Sequence, residues 1–160
     1  MRVEVIVIFI VVIIYGVYRM YFRNYYCVRK CFLLLRRFLD ARDSLVIKIL
    51  PEVPSKELVS EVMKAIEERR LNFAFGHNHA ILSDARLNMT LKKLYQALNE
   101  IDKNDLQKEL FARILHLEQD LKNIRKEYTE VVEKYNCHLV KHPMVLMRIL
   151  KMKPLDQYAS

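Results

Sequence analysis

The clearest hydrophobic pattern in the chain is an uncharged apolar run near its beginning. Val5–Tyr18 holds only uncharged residues and lies between Glu4 and Arg19. A helix that crosses a bilayer needs about 20 predominantly apolar residues, and the flanking residues 20–22 extend the run towards that length. The sequence MYFRNYY that follows lacks the small residues of a signal-peptidase site. The pattern therefore predicts an uncleaved transmembrane anchor over residues 1–23.

Basic residues are concentrated on one side of this anchor. Arg2 precedes it, and the basic residues that follow it before the first acid, Asp40, are Arg19, Arg23, Arg29, Lys30, Arg36 and Arg37. Positively charged flanks stay in the cytoplasm, so we expect the N-terminus outside and the rest of the chain in the cytoplasm. Long cationic side chains reach the headgroups from a membrane helix, and Arg19 and Arg23 are therefore predicted to lie at the membrane interface.

The next stretch has the period of an amphipathic helix. Between Asn24 and Leu50 the apolar positions recur at spacings near three, four and seven, as expected for one buried stripe. These positions are Val28, Phe32, Leu35, Leu39, Val46 and Ile49. No Pro or Gly interrupts the stretch, so the membrane helix is predicted to continue through it. Pro51 and Pro54 predict a turn after it.

Two shorter helices are predicted next. Ser55 is suited to cap the first of them, whose apolar face extends to about Leu71. Residues 72–83 interrupt the periodicity, and we expect the following helix to begin at Ser83 or Asp84. Its apolar positions are Leu87, Leu91, Leu94, Leu98 and Ile101.

The longest pattern begins at Asp105 and ends before His142 and Pro143. Its apolar positions form a heptad-like seam: Leu106, Leu110, Ile114, Leu117, Leu121, Ile124, Tyr128, Val131, Tyr135 and Leu139. A helix of this length spans roughly 55 Å, which is more than the two shorter helices can cover. Residues 121–139 are therefore predicted to pair with residues 24–39.

Together these elements predict the all-α class. The architecture is a transmembrane helix that continues into an antiparallel up-down-up-down four-helix bundle. The expected divisions are an anchor (1–23), a bundle (24–142) and a C-terminal tail (143–160). With Gly 2 and Pro 4 in the chain, a sheet protein with many tight turns is excluded. The three cysteines form no CxxC pair, and free thiols suit a cytoplasmic domain.

The tail combines large apolar residues with the cations Arg148, Lys151 and Lys153. A solvent-exposed tail seldom carries so many apolar side chains. One interpretation is that the tail folds back and closes the open end of the bundle. The other places it in the membrane interface, where its three cations lie against anionic headgroups.

Metal binding is the main chemical alternative. His138 and His142 have the spacing of two ligands on one helix, while His77, His79 and Cys137 could add others. However, Glu-x-x-His does not occur, and no Walker loop, GxSxG or GxGxxG motif is present. The sequence therefore predicts no enzyme, no cofactor and no metal. The basic residues cluster beside the anchor, where membrane topology explains them, so that nucleic-acid binding is not expected.

The order of residues 117–158 resembles the C-terminal region of the LemA family. The matching positions are Glu118, Arg125, Tyr128, Val132, Tyr135, Asn136, Pro143, Lys153 and Pro154. Residues 38–53 are similar to a second segment of the family. In the family, this segment has basic residues followed by Asp-Leu-Ile-Pro and a Val-rich turn. The chain departs from the family pattern at His142, where Phe is usual, and at Lys151-Met152, where Gly-Phe is usual.

The resemblance implies a bacterial membrane-anchored helical bundle, and it supplies no catalytic residue. We therefore expect a non-enzymatic single-pass protein of the bacterial cytoplasmic membrane. Its expected partners are the lipid bilayer and an unidentified membrane or cytoplasmic protein, and self-association is possible. The helical domain would serve as a scaffold or adaptor. The alternative is an accessory or regulatory subunit of a membrane enzyme or signalling complex.

Overall fold

The computed structural model of the chain describes residues 2–100, 105–141 and 152–158. The described residues form four α-helices and one short 3-10 turn, and they include no strand. The elements are α1 Arg2–Ile49, the turn Leu50–Glu52, α2 Lys56–Ala74, α3 His77–Glu100 and α4 Asp105–Lys141. The predicted all-α class is confirmed.

Helix α1 joins the apolar run to the helical domain without a break. Its 48 residues extend about 72 Å, so the predicted continuation of the N-terminal helix is confirmed. Part of α1 is long and apolar enough to cross a membrane, and that part is almost wholly exposed. A signal sequence near an N-terminus has the same properties.

The helix boundaries confirm two predictions and correct a third. Ser55 caps α2, because its hydroxyl accepts a hydrogen bond from the Leu58 amide. Helix α4 covers the predicted range, although its expected stop at residues 142–143 lies outside the described residues. The prediction that α3 begins at Ser83 or Asp84 is wrong, because both residues are buried inside it. The chain turns instead at Gly76, whose φ of 112° favours glycine.

The helices pack in pairs, α1 with α4 and α2 with α3. In the first pair the rings of Tyr21 and Tyr135 lie 5.5 Å apart. Further along α1, Phe32 contacts Tyr128, at 6.1 Å between ring centroids. The described stripe of α1 and most of the α4 seam are buried as predicted, although Leu106 is exposed.

Two apolar clusters fill the space between the helices. The proximal cluster lies nearer the apolar start of α1, and its buried core comprises Tyr21, Val28, Cys31, Phe32, Leu35, Leu39, Phe73, Ala80, Ile81, Leu121, Ile124, Tyr128, Val132, Tyr135 and Leu139. The distal cluster comprises Val46, Ile49, Leu50, Val53, Val62, Ile66, Leu87, Leu91, Leu94, Leu98, Phe111 and Ile114. Each fully buried large apolar side chain contributes about 1.5–3 kcal/mol, so both clusters stabilise the packing.

The proximal cluster contains more than the predicted α1–α4 pair. Phe73 of α2 stacks on Phe32 at 5.1 Å between centroids, and Ala80 and Ile81 of α3 are buried in the same cluster. The cause is the earlier start of α3, which makes it 24 residues long. The turn between α2 and α3 therefore reaches further along α1 than the sequence indicated.

Residues 152–158 lie against this cluster. The Asn136 side chain donates to the Leu155 carbonyl at 2.7 Å and accepts from the Leu155 amide at 3.0 Å. Tyr135 donates to the Lys153 carbonyl at 3.2 Å, while the Lys153 side chain is exposed. This part of the tail therefore folds back onto the helices. Arg148 and Lys151 lie outside the described residues.

Candidate functional site

Charged side chains form a buried ionic layer between the two apolar clusters. All four helices contribute to it, and its members are Arg42 and Asp43 of α1, Arg69 of α2, Asp84 and Asn88 of α3, and Glu118 and Arg125 of α4. Each lies on the apolar stripe of its helix, close to the level where the stripes change from one cluster to the other. The ionic layer is thus the polar element that the four helices share.

Arg42 of α1 contacts members of the layer on two other helices. Its Nη1 donates to Asn88 Oδ1 at 2.8 Å and lies 3.5 Å from Glu118 Oε1. Its Nη2 donates to Asp84 Oδ1 at 3.1 Å, and Asp43 Oδ1 is 3.4 Å away. The side chain is completely buried. One guanidinium therefore joins α1 to both α3 and α4.

Arg69 joins α2 to α1. Its Nε and Nη2 both donate to Asp43 Oδ2, at 2.9 and 2.5 Å, and Nη2 also donates to Asp40 Oδ1 at 2.8 Å. Arg69 and Asp43 are completely buried, whereas Asp40 is half exposed. Charge-assisted hydrogen bonds of this length are the strong ones in proteins.

Arg125 completes the layer from α4. Its Nε and Nη2 donate to Asp84 Oδ2 at 3.2 and 2.9 Å, and Nη2 also donates to Asn88 at 3.1 Å. Glu118 on the same helix accepts a 2.9 Å hydrogen bond from the Tyr95 hydroxyl. Asp84 thus receives guanidinium donors from two other helices, Arg42 on α1 and Arg125 on α4.

Three guanidinium groups face three carboxylates in this layer, with Asp40 at its exposed edge. Burial opposes the charge of Arg42, but Asp84, Glu118 and Asp43 outweigh it and raise the pKa of Arg42 above its ordinary value. Burial raises the pKa of Asp43, while the two neighbouring guanidinium groups act in the opposite direction. Removing charges from water costs several kcal/mol per ion, so each member depends on its partners.

One donor in the ionic layer has no acceptor among the described residues. Nη1 of Arg69 is buried and makes no hydrogen bond there. Arg69 also lines a half-open cavity of about 360 Å³, together with Arg36, Asp40, Ser44, Arg70 and Phe73. The Phe73 ring lies 5.2 Å from the Arg69 guanidinium carbon and 5.9 Å from that of Arg36. We call this the arginine cavity.

The sequence interpretation missed this layer. The predicted start of α3 at Ser83 or Asp84 put Asp84 at a helix end, yet the Asp84 side chain is completely buried, as is that of Arg69. A usable signal was present, because Arg69 lies three residues after Ile66 and four before Phe73, on the buried stripe of α2. Charged residues at apolar positions on several helices indicate a shared polar layer.

The histidines that could have bound a metal lie apart. His77 stacks on Phe32 at 3.9 Å between centroids, and its Nδ1 is 3.2 Å from the Tyr128 hydroxyl. His138 follows Tyr128 by ten residues of α4, about 15 Å along the helix. Within the described residues no group of three His, Cys, Asp or Glu side chains could hold a metal, and His142 lies outside them.

The cysteines differ in exposure. Cys27 and Cys137 are exposed, whereas Cys31 belongs to the proximal cluster. Burial, with a smaller effect of Glu127, raises the pKa of the Cys31 thiol to about 11. Because the thiolate is the nucleophile, Cys31 is suited to packing rather than to chemistry at neutral pH.

Of the expected membrane-interface cations, Arg19 and Arg23 are exposed on α1. They line a groove of about 610 Å³ with Gly16, Met20, Phe22 and Tyr26. Aromatic and cationic side chains together are typical of the boundary between a bilayer and water. Lys153, the tail cation that lies among the described residues, does not line this groove.

Comparisons with known proteins found no relative for the chain. A scan against protein-family models found no match, and neither the search of curated proteins nor that of solved structures found one. The resemblance of residues 117–158 to the LemA family therefore rests on the residues that carry it.

Proposed function

We propose that the chain is a non-enzymatic, single-pass protein of the bacterial cytoplasmic membrane, similar to the LemA type. In this proposal the N-terminus lies outside the membrane, the helical domain is cytoplasmic, and α1 to α4 form an antiparallel up-down-up-down bundle. The domain serves as a scaffold or adaptor for a membrane or cytoplasmic protein. Self-association of the chain is part of the same proposal.

The observation that carries the proposal is the division of α1 into two environments. The side chains of Val5–Tyr15 are all exposed, although they are almost entirely apolar. From Val28 onwards one stripe of the same continuous helix is fully buried. A bilayer would cover the exposed part, and the continuous helix would then hold the domain directly against the membrane.

Four of the residues that carry the LemA resemblance make specific contacts in the structure. Asn136 and Tyr135, both in the resembling segment, hydrogen-bond the backbone of residues 153–155. Glu118 and Arg125 both belong to the ionic layer. The antiparallel arrangement is supported by the order of contacts, since Tyr21 meets Tyr135 and Arg42 meets Glu118.

Alkaline carbonate extraction of cell membranes tests anchoring. The full-length chain should stay in the membrane pellet, whereas its release into the soluble fraction would refute the anchor. A reporter that is active only in the cytoplasm, fused after Ser160, tests orientation. It should be active, and neutral substitutions at Arg19, Arg23, Arg29 and Lys30 should weaken the orientation.

The scaffold role needs a partner. Purification of the detergent-solubilised chain after crosslinking in cells should recover the same protein from independent preparations. A matched variant, in which the ionic layer is disrupted by Arg42→Met, should lose that protein. Recovery of no specific partner with either chain would contradict the scaffold role and leave anchoring untouched.

A further inference from the structure

We propose that the arginine cavity is a binding site for a small soluble oxyanion, with inorganic phosphate as the simplest ligand. Its lining carries three guanidinium groups, Arg36, Arg69 and Arg70, and a single carboxylate, Asp40. Asp43 also pairs with Arg69, so the three guanidinium groups exceed the neighbouring carboxylates by one positive charge, and this excess favours an anion. A cavity of about 360 Å³ has the size of small-molecule sites.

The unpartnered donor of Arg69 supports this assignment independently of charge. Arg69 is held by Asp43 and Asp40 through Nε and Nη2, which leaves Nη1 without an acceptor among the described residues. A buried, unsatisfied hydrogen-bonding group is costly, and more so when it is charged. Because Nη1 is buried, an anion that enters the cavity would supply the missing acceptor once the Arg69 side chain shifts towards it.

The other two arginines are free to reach a ligand. The Arg36 side chain is 54% exposed, and its ion pair with Asp40 is long, at 3.8 Å. Arg70 also lines the cavity, and it is exposed. The guanidinium groups of Arg36 and Arg69 both lie over the Phe73 ring, at 5.9 and 5.2 Å from its centroid. Guanidinium groups bind phosphate with two parallel hydrogen bonds.

The position of the cavity favours a ligand from solution over a lipid headgroup. Asp40 lies 18 residues after Phe22 on the continuous helix α1, about 27 Å along its axis. This exceeds the depth of the headgroup region. The site itself does not depend on membrane anchoring, because its lining residues all belong to the helical domain.

Equilibrium dialysis with labelled phosphate tests the site. The probe is added to the full chain in nanodiscs of zwitterionic lipid, and we expect saturable binding of one phosphate per chain. Arg36→Gln with Arg70→Gln should weaken binding about tenfold or more, which corresponds to the loss of one or two charge-assisted hydrogen bonds. The matched control is Arg86→Gln with Arg113→Gln, which removes the same charge at exposed positions elsewhere and should bind as the unchanged chain does.

A substitution of opposite sign makes the test specific. Asp40→Asn removes the carboxylate that competes for Arg36 and Arg69 and should tighten phosphate binding. Circular dichroism confirms that each variant is folded. Absence of saturable binding, or equal affinity in the cavity variant and the control variant, would overturn the proposal. Addition of anionic lipid to the nanodiscs should leave the affinity unchanged, and competition by that lipid would refute a soluble ligand.

Discussion

The Tyr158 hydroxyl donates a hydrogen bond of 3.1 Å to Asp84 Oδ2, although 74 residues separate the two in the chain. The Arg125 guanidinium, which also donates to Asp84, lies 5.6 Å from the centroid of the Tyr158 ring. Burial raises the pKa of Tyr158, and the neighbouring Asp84 raises it further, so the phenol remains a donor at neutral pH. The C-terminal segment is therefore joined directly to the ionic layer.

Tyr158→Phe should destabilise the helical domain by about 1.5–3 kcal/mol, because a hydrogen bond to a charged carboxylate is lost. Urea unfolding of the full chain in detergent, followed by circular dichroism, measures the change. Tyr26→Phe is the matched control, since Tyr26 is exposed on α1, and it should have little effect. Equal stability of the two variants would show that the contact with Asp84 contributes nothing.

Asn136→Ala should release the C-terminal segment. Both backbone hydrogen bonds to Leu155 depend on this side chain, so residues 152–158 should become more accessible to protease. Limited proteolysis followed by mass spectrometry of the C-terminal fragments measures the rate of cleavage. Asn123→Ala, at an exposed position of α4, should be cleaved at the rate of the unchanged chain, and the same slow rate in Asn136→Ala would contradict the role given to Asn136.

Arg42→Met should be among the most destabilising substitutions in the chain. It leaves Asp84 and Asp43 buried with fewer compensating charges, and removal of one member of a buried ion pair costs about 3–5 kcal/mol. Arg113→Met removes only an exposed pair with Glu109 and should cost less than about 1 kcal/mol. A loss at Arg42 as small as that at Arg113 would mean that the ionic layer is not a stabilising network.

His77 should make the stability depend on pH. Burial lowers its pKa below the ordinary value of about 6.5, so the unfolded chain binds more protons than the folded chain just below that pH. The free energy of unfolding is therefore unaffected by His77 above about pH 6.5. It decreases as the pH falls from there towards the pKa of His77 in the folded chain. Protonation would leave Nδ1 able only to donate across its 3.2 Å contact with the Tyr128 hydroxyl.

Unfolding experiments between pH 5 and 8 (a range of about three units around the ordinary pKa) test this dependence. His77→Phe should flatten the decrease in stability towards acid pH. His116→Gln, at an exposed position, should leave it as it is in the unchanged chain. A decrease of equal size in all three chains would assign the pH dependence to other groups.

The periodic apolar positions were sufficient to predict most of the helices. The cap at Ser55 follows from short-range rules about helix ends. The start of α3 did not follow from such rules. Asn78 and His79 are exposed polar residues in a short stretch around a single Gly, and local propensity there is outweighed by the packing of His77, Ala80 and Ile81 against α1 and α4.

The ionic layer was harder to predict than the helices, for a physical reason. A buried arginine such as Arg69 is stable only when its partners lie at the same level of other helices. Asp43, its main partner, is 26 residues away in the chain. Helical periodicity places each residue on a face of its own helix, but it does not determine which levels of two helices meet. The arginine cavity depends on the same pairing of α1 with α2.

The division of α1 into a lipid-exposed first part and a second part buried in the helical domain can be measured directly. Spin labels placed singly along α1 in nanodiscs, in a chain whose three cysteines are replaced by alanine, measure it through their accessibility to oxygen. Every position from Val5 to Tyr15 should be accessible to oxygen. From Val28 to Ile49 the accessibility should rise and fall with a period of 3.6 residues, because one stripe of the helix is buried there. Periodic protection that begins already at Val5, or loss of the labelled N-terminal segment from the membrane-bound protein, would contradict this division of α1.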